Sequence, residues 1–99
     1  MPRPCRCRHV RCCPDADYFK PRGIPVNELD EITLTLDELE AVRLADLEGR
    51  YQEEAARVMK VSRQTFGNIV KSARKKIAGA LLGGKALKIE GGFVKRMKR

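Results

Sequence analysis

The sequence predicts a small all-α protein with an irregular N-terminal arm, and three observations lead to that fold class. The chain has 99 residues, 42% hydrophobic and 34% charged, which suits one small folded domain rather than a disordered chain. Its two tyrosines and three phenylalanines come with no tryptophan, which argues against an aromatic-rich β-sandwich core. Apolar residues then recur at a helical period in three segments. Helices are therefore expected, with at most a short strand near the C-terminus.

The N-terminal quarter is predicted to form an arm or cap without regular helix. All five prolines lie within residues 1–25, and proline lacks the backbone donor that a helix needs. Apolar side chains in this part that are candidates to pack onto a core are Val10, Tyr18, Phe19, Ile24 and Val26. We therefore divide the chain into a Pro- and Cys-rich basic arm over 1–33, a helical domain over 34–83 and a short basic extension over 84–99.

The first helix is predicted over residues 35–48. Thr35 and Glu38 form a capping box, in which each side chain satisfies a backbone donor of the other residue. Apolar positions then follow at a helical period, at Leu36, Leu39, Val42, Leu44 and Leu47. Gly49 supplies the left-handed residue that ends the helix.

The second and third helices follow closely. The second begins at Gln52, with acids in its first turn and with Ala56 and Met59 facing inward. Ser62 is the expected N-cap of the third helix, which Gly83 and Gly84 end. Its predicted inward positions are Phe66, Ile69, Val70, Ala73, Ile77, Ala80 and Leu81. A short strand is expected over residues 86–89, where apolar and polar residues alternate.

The second and third helices have the sequence form of a DNA-binding helix-turn-helix. A short turn joins them, and the second of the pair is rich in Arg, Gln, Asn and Lys. Ala56 is small where the helices cross, and Val61 can plug the turn. Two positions depart from the common pattern. Lys60 stands where glycine is usual, which requires either a left-handed lysine or a different turn, and Tyr51 replaces the usual Ser or Thr cap.

The side of the third helix opposite its apolar stripe is the predicted reading face. Side chains assigned to base edges in the major groove are Arg63, Gln64, Gly67, Asn68 and Lys71. Side chains assigned to phosphates are Lys60, Ser62, Thr65, Arg74, Lys75 and Lys76. For the basic run 74–76 the alternative is a solvated helix face. Gly67 permits either close approach to the duplex or close packing within the protein.

The distribution of charge supports the prediction of DNA binding, because the net charge of +8 is concentrated in two parts of the chain. Residues 1–25 carry a net charge of about +4, residues 26–54 about −8 and residues 55–99 about +12. A dense cationic surplus of this kind is typical of proteins that bind a polyanion, although charge runs also occur on surfaces that only face solvent. The arginines of the arm are additional candidates for a DNA backbone or minor groove: Arg3, Arg6, Arg8 and Arg11.

Two resemblances agree with these assignments. Residues 34–44, Gly49, residues 54–56, 61–66 and 73–76 resemble region 4 of bacterial sigma factors and the LuxR-type helix-turn-helix. The opening Met-Pro-Arg-Pro, with residues 18–25 and 84–92, resembles a prokaryotic family of small uncharacterised proteins predicted to bind DNA. The resemblances imply a sigma-region-4-like fold and DNA binding, and they imply no particular target.

The cysteine-rich segment of the arm leaves two main interpretations open. Five thiol or imidazole ligands lie within nine residues: Cys5, Cys7, His9, Cys12 and Cys13. They suit zinc or an iron–sulfur cluster by ligand type, but they lack the paired Cys-x-x-Cys spacing. The alternative is a reduced basic arm whose thiols are activated by neighbouring arginines, with redox sensing as a lesser third role. Zinc is therefore a candidate cofactor, with none assigned firmly.

The sequence predicts no enzyme. Residues 79–86 approach a phosphate-binding loop, but Ala86 lacks the required hydroxyl and the segment continues a helix. With one histidine and no nucleophile–base pair, catalysis has no candidate residues.

The predicted function is sequence-specific binding of double-stranded DNA in transcriptional regulation, in the cytoplasm and away from membranes. Two alternatives remain: a protein-interaction module that contacts the transcription machinery through the acidic first helix, and a metal-dependent RNA-binding module. Homodimerisation is a further expectation, because paired reading heads recognise paired half-sites. Side chains that suit either such an interface or the core are Leu81, Leu82, Leu87 and Ile89.

Overall fold

The computed structural model describes residues 8–11, 13–92 and 94–96, the last three by their backbone alone. The helices are α1 (Leu36–Val42), which continues as a π-helix over Arg43–Leu47, α2 (Gln52–Met59) and α3 (Arg63–Gly83). The strands are β1 (Arg8–Val10), β2 (Tyr18–Phe19), β3 (Glu31–Leu34), β4 (Ala86–Ile89) and β5 (Val94–Arg96). A single 3-10 turn at Val26–Glu28 precedes β3.

The strands form two small sheets. In the three-stranded sheet β4 is central, antiparallel to β2 and parallel to β3, so all three helices lie on the connection between two adjacent parallel strands. In the second sheet β1 pairs in parallel with β5, with Arg8 opposite Val94. The segment before β5 also contacts the start of α1, where the Leu36 N–H donates to the Gly91 carbonyl at 3.0 Å.

The all-α prediction is therefore wrong, and the fold is mixed α/β. Most of the error lies in the segment predicted to be an irregular arm, which contributes β1, β2 and most of β3. These strands are two to four residues long and their partners are distant in sequence, as with Glu31 opposite Ala86. A strand this short shows almost no alternation of apolar and polar residues. Because its pairing is set by tertiary contacts, the local sequence gives little indication that it is a strand. The predicted strand over residues 86–89 is confirmed as β4.

The helix boundaries are confirmed where the sequence contains a cap. The Thr35 N–H donates to Glu38 Oε1 at 2.9 Å and the Glu38 N–H to Thr35 Oγ1 at 3.4 Å, which completes the capping box. Ser62 Oγ accepts from the Thr65 N–H at 3.0 Å and caps α3. Gly49 and Gly84 follow their helices with φ of 70° and 63°, so both provide the left-handed stop.

The core has two parts. One lies among α1, the π-helix, α2 and α3 and is built from Ala41, Leu44, Ala55, Ala56, Met59, Phe66, Ile69 and Val70. The other lies between α1, α3 and the three-stranded sheet and is built around Leu34, Ala73 and Ile89. The predicted inward stripe of α3 is confirmed through Ala80, but Leu81 is 75% exposed. Leu81 lies in the last turn of α3 and belongs to neither part of the core.

Within the described part of the chain, no helix combines the length and the apolar character that crossing a membrane requires.

Candidate nucleic-acid interface

The turn between α2 and α3 holds both helices at a defined angle. Lys60 has φ 60° and ψ 42°, so of the two alternatives the left-handed lysine is observed. The Val61 N–H donates to the Ala56 carbonyl at 3.0 Å and the Lys60 N–H to that of Arg57 at 3.2 Å. These two bonds form a Schellman motif, which satisfies the last carbonyls of α2 and packs Val61 against the core. At the other end of α2, Tyr51 makes no side-chain cap.

The outward face of α3 consists of Gln64, Asn68, Lys71 and Lys75. At about 100° per residue these four side chains lie within about 60° of one another, opposite the buried Phe66 stripe. All four are exposed. No ion pair joins Lys71 or Lys75 to another residue that the structure describes. The predicted base-reading residues on this face are thus brought together, and Lys75, assigned to phosphate, extends the same line toward the C-terminus.

Arg63 lies beside the outward face and is only loosely held. Its Nη1 is 3.5 Å from Glu53 Oε1 on α2, and both side chains are about 70% exposed to solvent. A surface pair of this kind contributes at most about 1 kcal/mol, because water solvates both charges. Arg63 can therefore exchange this carboxylate for another hydrogen-bond acceptor.

Gly67 has space around it inside the protein. A Cβ built at this position would meet only the side-chain oxygen of Gln52, at 3.9 Å, which is an ordinary contact. Packing within the chain therefore does not require glycine here. Of the two interpretations offered by the sequence, close approach of an external partner is the one that still explains the residue.

Two cations assigned to phosphates are tied to acids of the same chain. Arg74 makes a two-pronged interaction with Asp46 of the π-helix, with Nη2–Oδ1 at 2.7 Å and Nε–Oδ2 at 3.1 Å. The hydrogen bond from Arg74 lowers the pKa of Asp46 below its usual value. Lys76 Nζ donates to Glu38 Oε1 at 2.7 Å and to the Thr33 carbonyl at 2.8 Å. The sequence assignment missed both partners, which lie 28 and 38 residues away with no local signal.

Glu38 connects α1 to α3. Besides its capping bonds and Lys76, it accepts from Ser72 Oγ at 2.5 Å, and the residue is 7% exposed. Burial raises the pKa of Glu38, but the hydrogen bonds donated by Lys76, Ser72 and Thr35 together outweigh burial and hold the pKa below its usual value. The carboxylate therefore stays ionised and holds the middle of α3 against the start of α1.

A second buried acid, Glu40, connects α1 to the N-terminal segment. It is fully buried and accepts from Arg43 Nη2 at 3.0 Å and from the Arg11 N–H at 2.8 Å. Asp37 is also buried and lies 3.6 Å from Arg8 Nε. Of the four arm arginines assigned to DNA, Arg8 and Arg11 are described and lie next to α1, Arg8 in β1, while Arg3 and Arg6 lie outside the described residues.

The predicted metal ligands are only partly described. Cys5, Cys7 and Cys12 lie outside the described residues, whereas His9 is part of β1 and Cys13 is exposed. Among the residues that are described, no group of three or more His, Cys, Asp or Glu side chains could hold a metal ion. Zinc binding by the full set stays a prediction.

The side chains suggested for a homodimer divide into two groups. Ile89 is buried and Leu87 packs against the sheet-side core, so both complete the monomer. Leu81 and Leu82 are 75% and 90% exposed in the last turn of α3. A dimer through these two leucines stays a prediction.

These features define a small mixed α/β protein in which a helix, a tight turn and a second helix present a polar and basic face. The chain belongs to the family described as protein of unknown function DUF134, whose model matches residues 1–97.

Relatives of this family are similar over most of the chain. A UPF0251 protein of Thermoanaerobacter pseudethanolicus is 59% identical over 92 residues, which are 93% of this chain and 78% of the relative. A UPF0251 protein of Caldanaerobacter subterraneus is 59% identical over 95 residues, 96% of this chain and 80% of the relative. A UPF0251 protein of Prosthecochloris aestuarii is 57% identical over 97 residues, 98% of this chain but 61% of the relative. No solved structure matches the chain.

Proposed function

We propose that the protein binds double-stranded DNA sequence-specifically through the outward face of α3 and acts in transcriptional regulation. The observation that carries the proposal is the outward face itself. Gln64, Asn68, Lys71 and Lys75 are exposed on one side of a helix that Ser62 caps and a Schellman turn orients. A capped, rigidly held helix with a polar outer side fits the major groove, which is wide enough to admit one helix.

The chemistry of this face suits base edges. Gln and Asn pair in two-pronged fashion with adenine, and Lys donates to the acceptors of guanine. Gly67 lies beside Gln64 and Asn68 and leaves the helix backbone uncovered there. Lys75 lies about 18 Å along the helix from Arg63, and we assign it to the DNA backbone, whose phosphates position a protein without being read as sequence.

The distribution of paired charges favours DNA over the alternative of contacting the transcription machinery. That alternative needs free acids of the first helix on the surface, but Asp37, Glu38 and Glu40 are buried. The exposed acids of the same predicted helix are already paired with arginines, Asp46 with Arg74 and Glu48 with Arg43 and Arg50. On α3, Arg74 pairs with Asp46 and Lys76 with Glu38, whereas Lys71 and Lys75 have no acidic partner among the described residues. Their positive potential is therefore available to a polyanion.

The metal-dependent RNA-binding alternative is separated from DNA binding by the arm cysteines. Under that alternative, replacing Cys5 and Cys7 with serine abolishes nucleic-acid binding, while α3 variants keep it. Under our proposal the reverse holds. A cytoplasmic location, where a prokaryotic protein meets DNA, is part of the proposal.

The test is selection of bound fragments from random duplex DNA, followed by titration of variants against the selected site and its single-base changes. We expect Gln64→Ala and Asn68→Ala each to reduce discrimination at one base position by about 1–3 kcal/mol. Lys75→Ala should weaken binding to all sequences alike and reduce the slope of log affinity against log salt by about one unit.

Tyr51→Phe is a matched control on an exposed side chain outside the outward face, and we expect it to bind as the parent does. The proposal fails if no duplex is enriched. It also fails if charge reversal at Arg63 and Lys71 together leaves DNA retention unchanged.

A further inference from the structure

A cleft of about 720 Å³ lies on α2 away from the outward face of α3. Its lining comes from β1 and the residue after it, from the π-helix and the turn that follows, and from α2 with its C-cap. No residue of α3 contributes to the lining. The cleft is therefore separate from the proposed DNA-reading face.

Cations dominate the cleft. Its charged lining residues are Arg11, Arg43, Arg50, Arg57, Lys60, Glu48 and Glu54, so five cations face two acids. His9 adds an imidazole.

The two acids are already engaged by two of the arginines. Glu48 interacts with Arg43 and also accepts from Arg50 Nε at 2.7 Å, while Arg50 Nη1 lies 3.8 Å from Glu54 Oε1. No ion pair within the described part of the chain is made by the side chains of Arg11, Arg57 or Lys60. Three positive charges therefore converge on a concave surface without internal compensation, and a concave low-dielectric wall concentrates their potential.

The shape and floor of the cleft suit an organic anion. Its volume is within the range of about 300–1,000 Å³ that is usual for small-molecule sites. Half-buried Val58 supplies exposed apolar surface in the lining, while Leu44, which also lines the cleft, is completely buried. Guanidinium groups bind phosphoryl oxygens through paired donors, which an ammonium group cannot do as specifically.

We propose that this cleft between β1, the π-helix and α2 binds a phosphorylated small molecule of the nucleotide class. The phosphoryl groups lie against Arg11, Arg57 and Lys60, and the organic part covers Val58. The inference goes beyond DNA binding and does not depend on it.

Calorimetric titration of the full chain with ATP tests the proposal, with inorganic phosphate and adenosine as parallel ligands. We expect saturable binding of one ATP per chain, weaker binding of inorganic phosphate because it covers no apolar surface, and none of adenosine. The double variant Arg11→Gln with Arg57→Gln should weaken ATP binding by about tenfold or more for each cation removed.

The charge-matched control is Lys71→Gln with Lys75→Gln, which also removes two cations but from α3. We expect it to bind ATP as the parent does while losing affinity for DNA. Circular dichroism of each variant checks that the fold is kept.

Three outcomes overturn the proposal: no saturable ATP binding, equal losses in the two double variants, or equal affinity for ATP and inorganic phosphate. If the cleft variant loses DNA affinity as the α3 variant does and binds no ATP, the cleft is a DNA-backbone contact instead. Failure of DNA binding with ATP binding intact rejects the proposed function alone.

Discussion

Gly67 lies inside α3 although glycine has a low propensity for the α-helix. Glycine inside a helix costs about 1 kcal/mol relative to alanine. The space around Gly67 admits a Cβ, with Gln52 at 3.9 Å as the nearest contact. Stability of the isolated protein therefore gives no reason for the glycine, which lies beside Gln64 and Asn68 on the proposed DNA-binding face.

Gly67→Ala should separate stability from binding. We expect the free energy of unfolding to rise by about 1 kcal/mol, because alanine is the better helix former. DNA affinity should fall by about tenfold, since the added methyl group keeps the helix backbone from the duplex. Urea denaturation measures the first and fluorescence anisotropy with labelled duplex the second.

Gly79→Ala is the matched control for Gly67→Ala. Gly79 is also inside α3, and its added Cβ would lie 3.8 Å from Ile32 Cδ1, an ordinary contact. It should gain similar stability without loss of DNA affinity. A Gly67→Ala protein that binds DNA as tightly as the parent would remove close approach as the reason for this glycine.

At the scale of elements, one carboxylate adds a polar connection to the apolar packing between α1 and α3. Glu38 completes the capping box of α1 and accepts hydrogen bonds from Ser72 and Lys76 of α3. Lys76 in turn donates to the Thr33 carbonyl of β3. Glu38 and Lys76 together therefore connect the start of α1, the middle of α3 and β3.

Glu38→Gln should destabilise the protein at neutral pH and change its response to acid. The pKa of Glu38 is lowered in the fold, so the unfolded chain binds more protons near pH 4. Its contribution is present above the unfolded pKa of about 4.3 and is lost as the pH falls through the lower, folded value. We expect a loss of about 1–3 kcal/mol at pH 7 and a flatter dependence of stability on pH below about 4.5.

Denaturation curves between pH 3 and pH 7, roughly the range where carboxylates titrate, measure this effect. Glu90→Gln removes an exposed carboxylate whose pair with Lys88 spans 3.2 Å, and it should change stability by less than about 0.5 kcal/mol. Equal losses in the two variants would show that Glu38 has no special role.

At the scale of the whole molecule, residues 8–11 of the N-terminal segment are part of the fold. Val10 is completely buried, and the Arg11 N–H donates to buried Glu40. β1 pairs with β5, so residues more than 80 positions apart meet in one sheet. β1, which lies in the segment predicted to be an arm, packs against α1 and α2.

Val10→Ala should therefore destabilise the whole protein by about 2 kcal/mol, because it removes buried methyl groups and leaves a cavity. Val26→Ala removes the same atoms from a side chain that is 52% exposed and should cost less than about 0.5 kcal/mol. Thermal unfolding followed by circular dichroism compares the two. A Val10→Ala protein as stable as Val26→Ala would mean that the segment is dispensable for folding.

Prediction from sequence succeeded where the physical cause is local. The caps at Thr35, Ser62 and Gly84 form hydrogen bonds with residues three or four positions away. The helix ends can therefore be predicted without a tertiary structure. The outward face of α3 follows from helical periodicity alone. Whether that face reads DNA stays a prediction.

The sequence by itself determined three helices, the N-caps of α1 and α3 and the polar side of α3, because these depend on neighbours within about four residues. Only the tertiary structure decided that the fold is mixed α/β, that Arg74 and Lys76 are paired with Asp46 and Glu38, and that a cationic cleft lies on α2. Strand pairs, ion pairs and clefts join residues that are distant along the chain. They exist only once burial has brought those residues together.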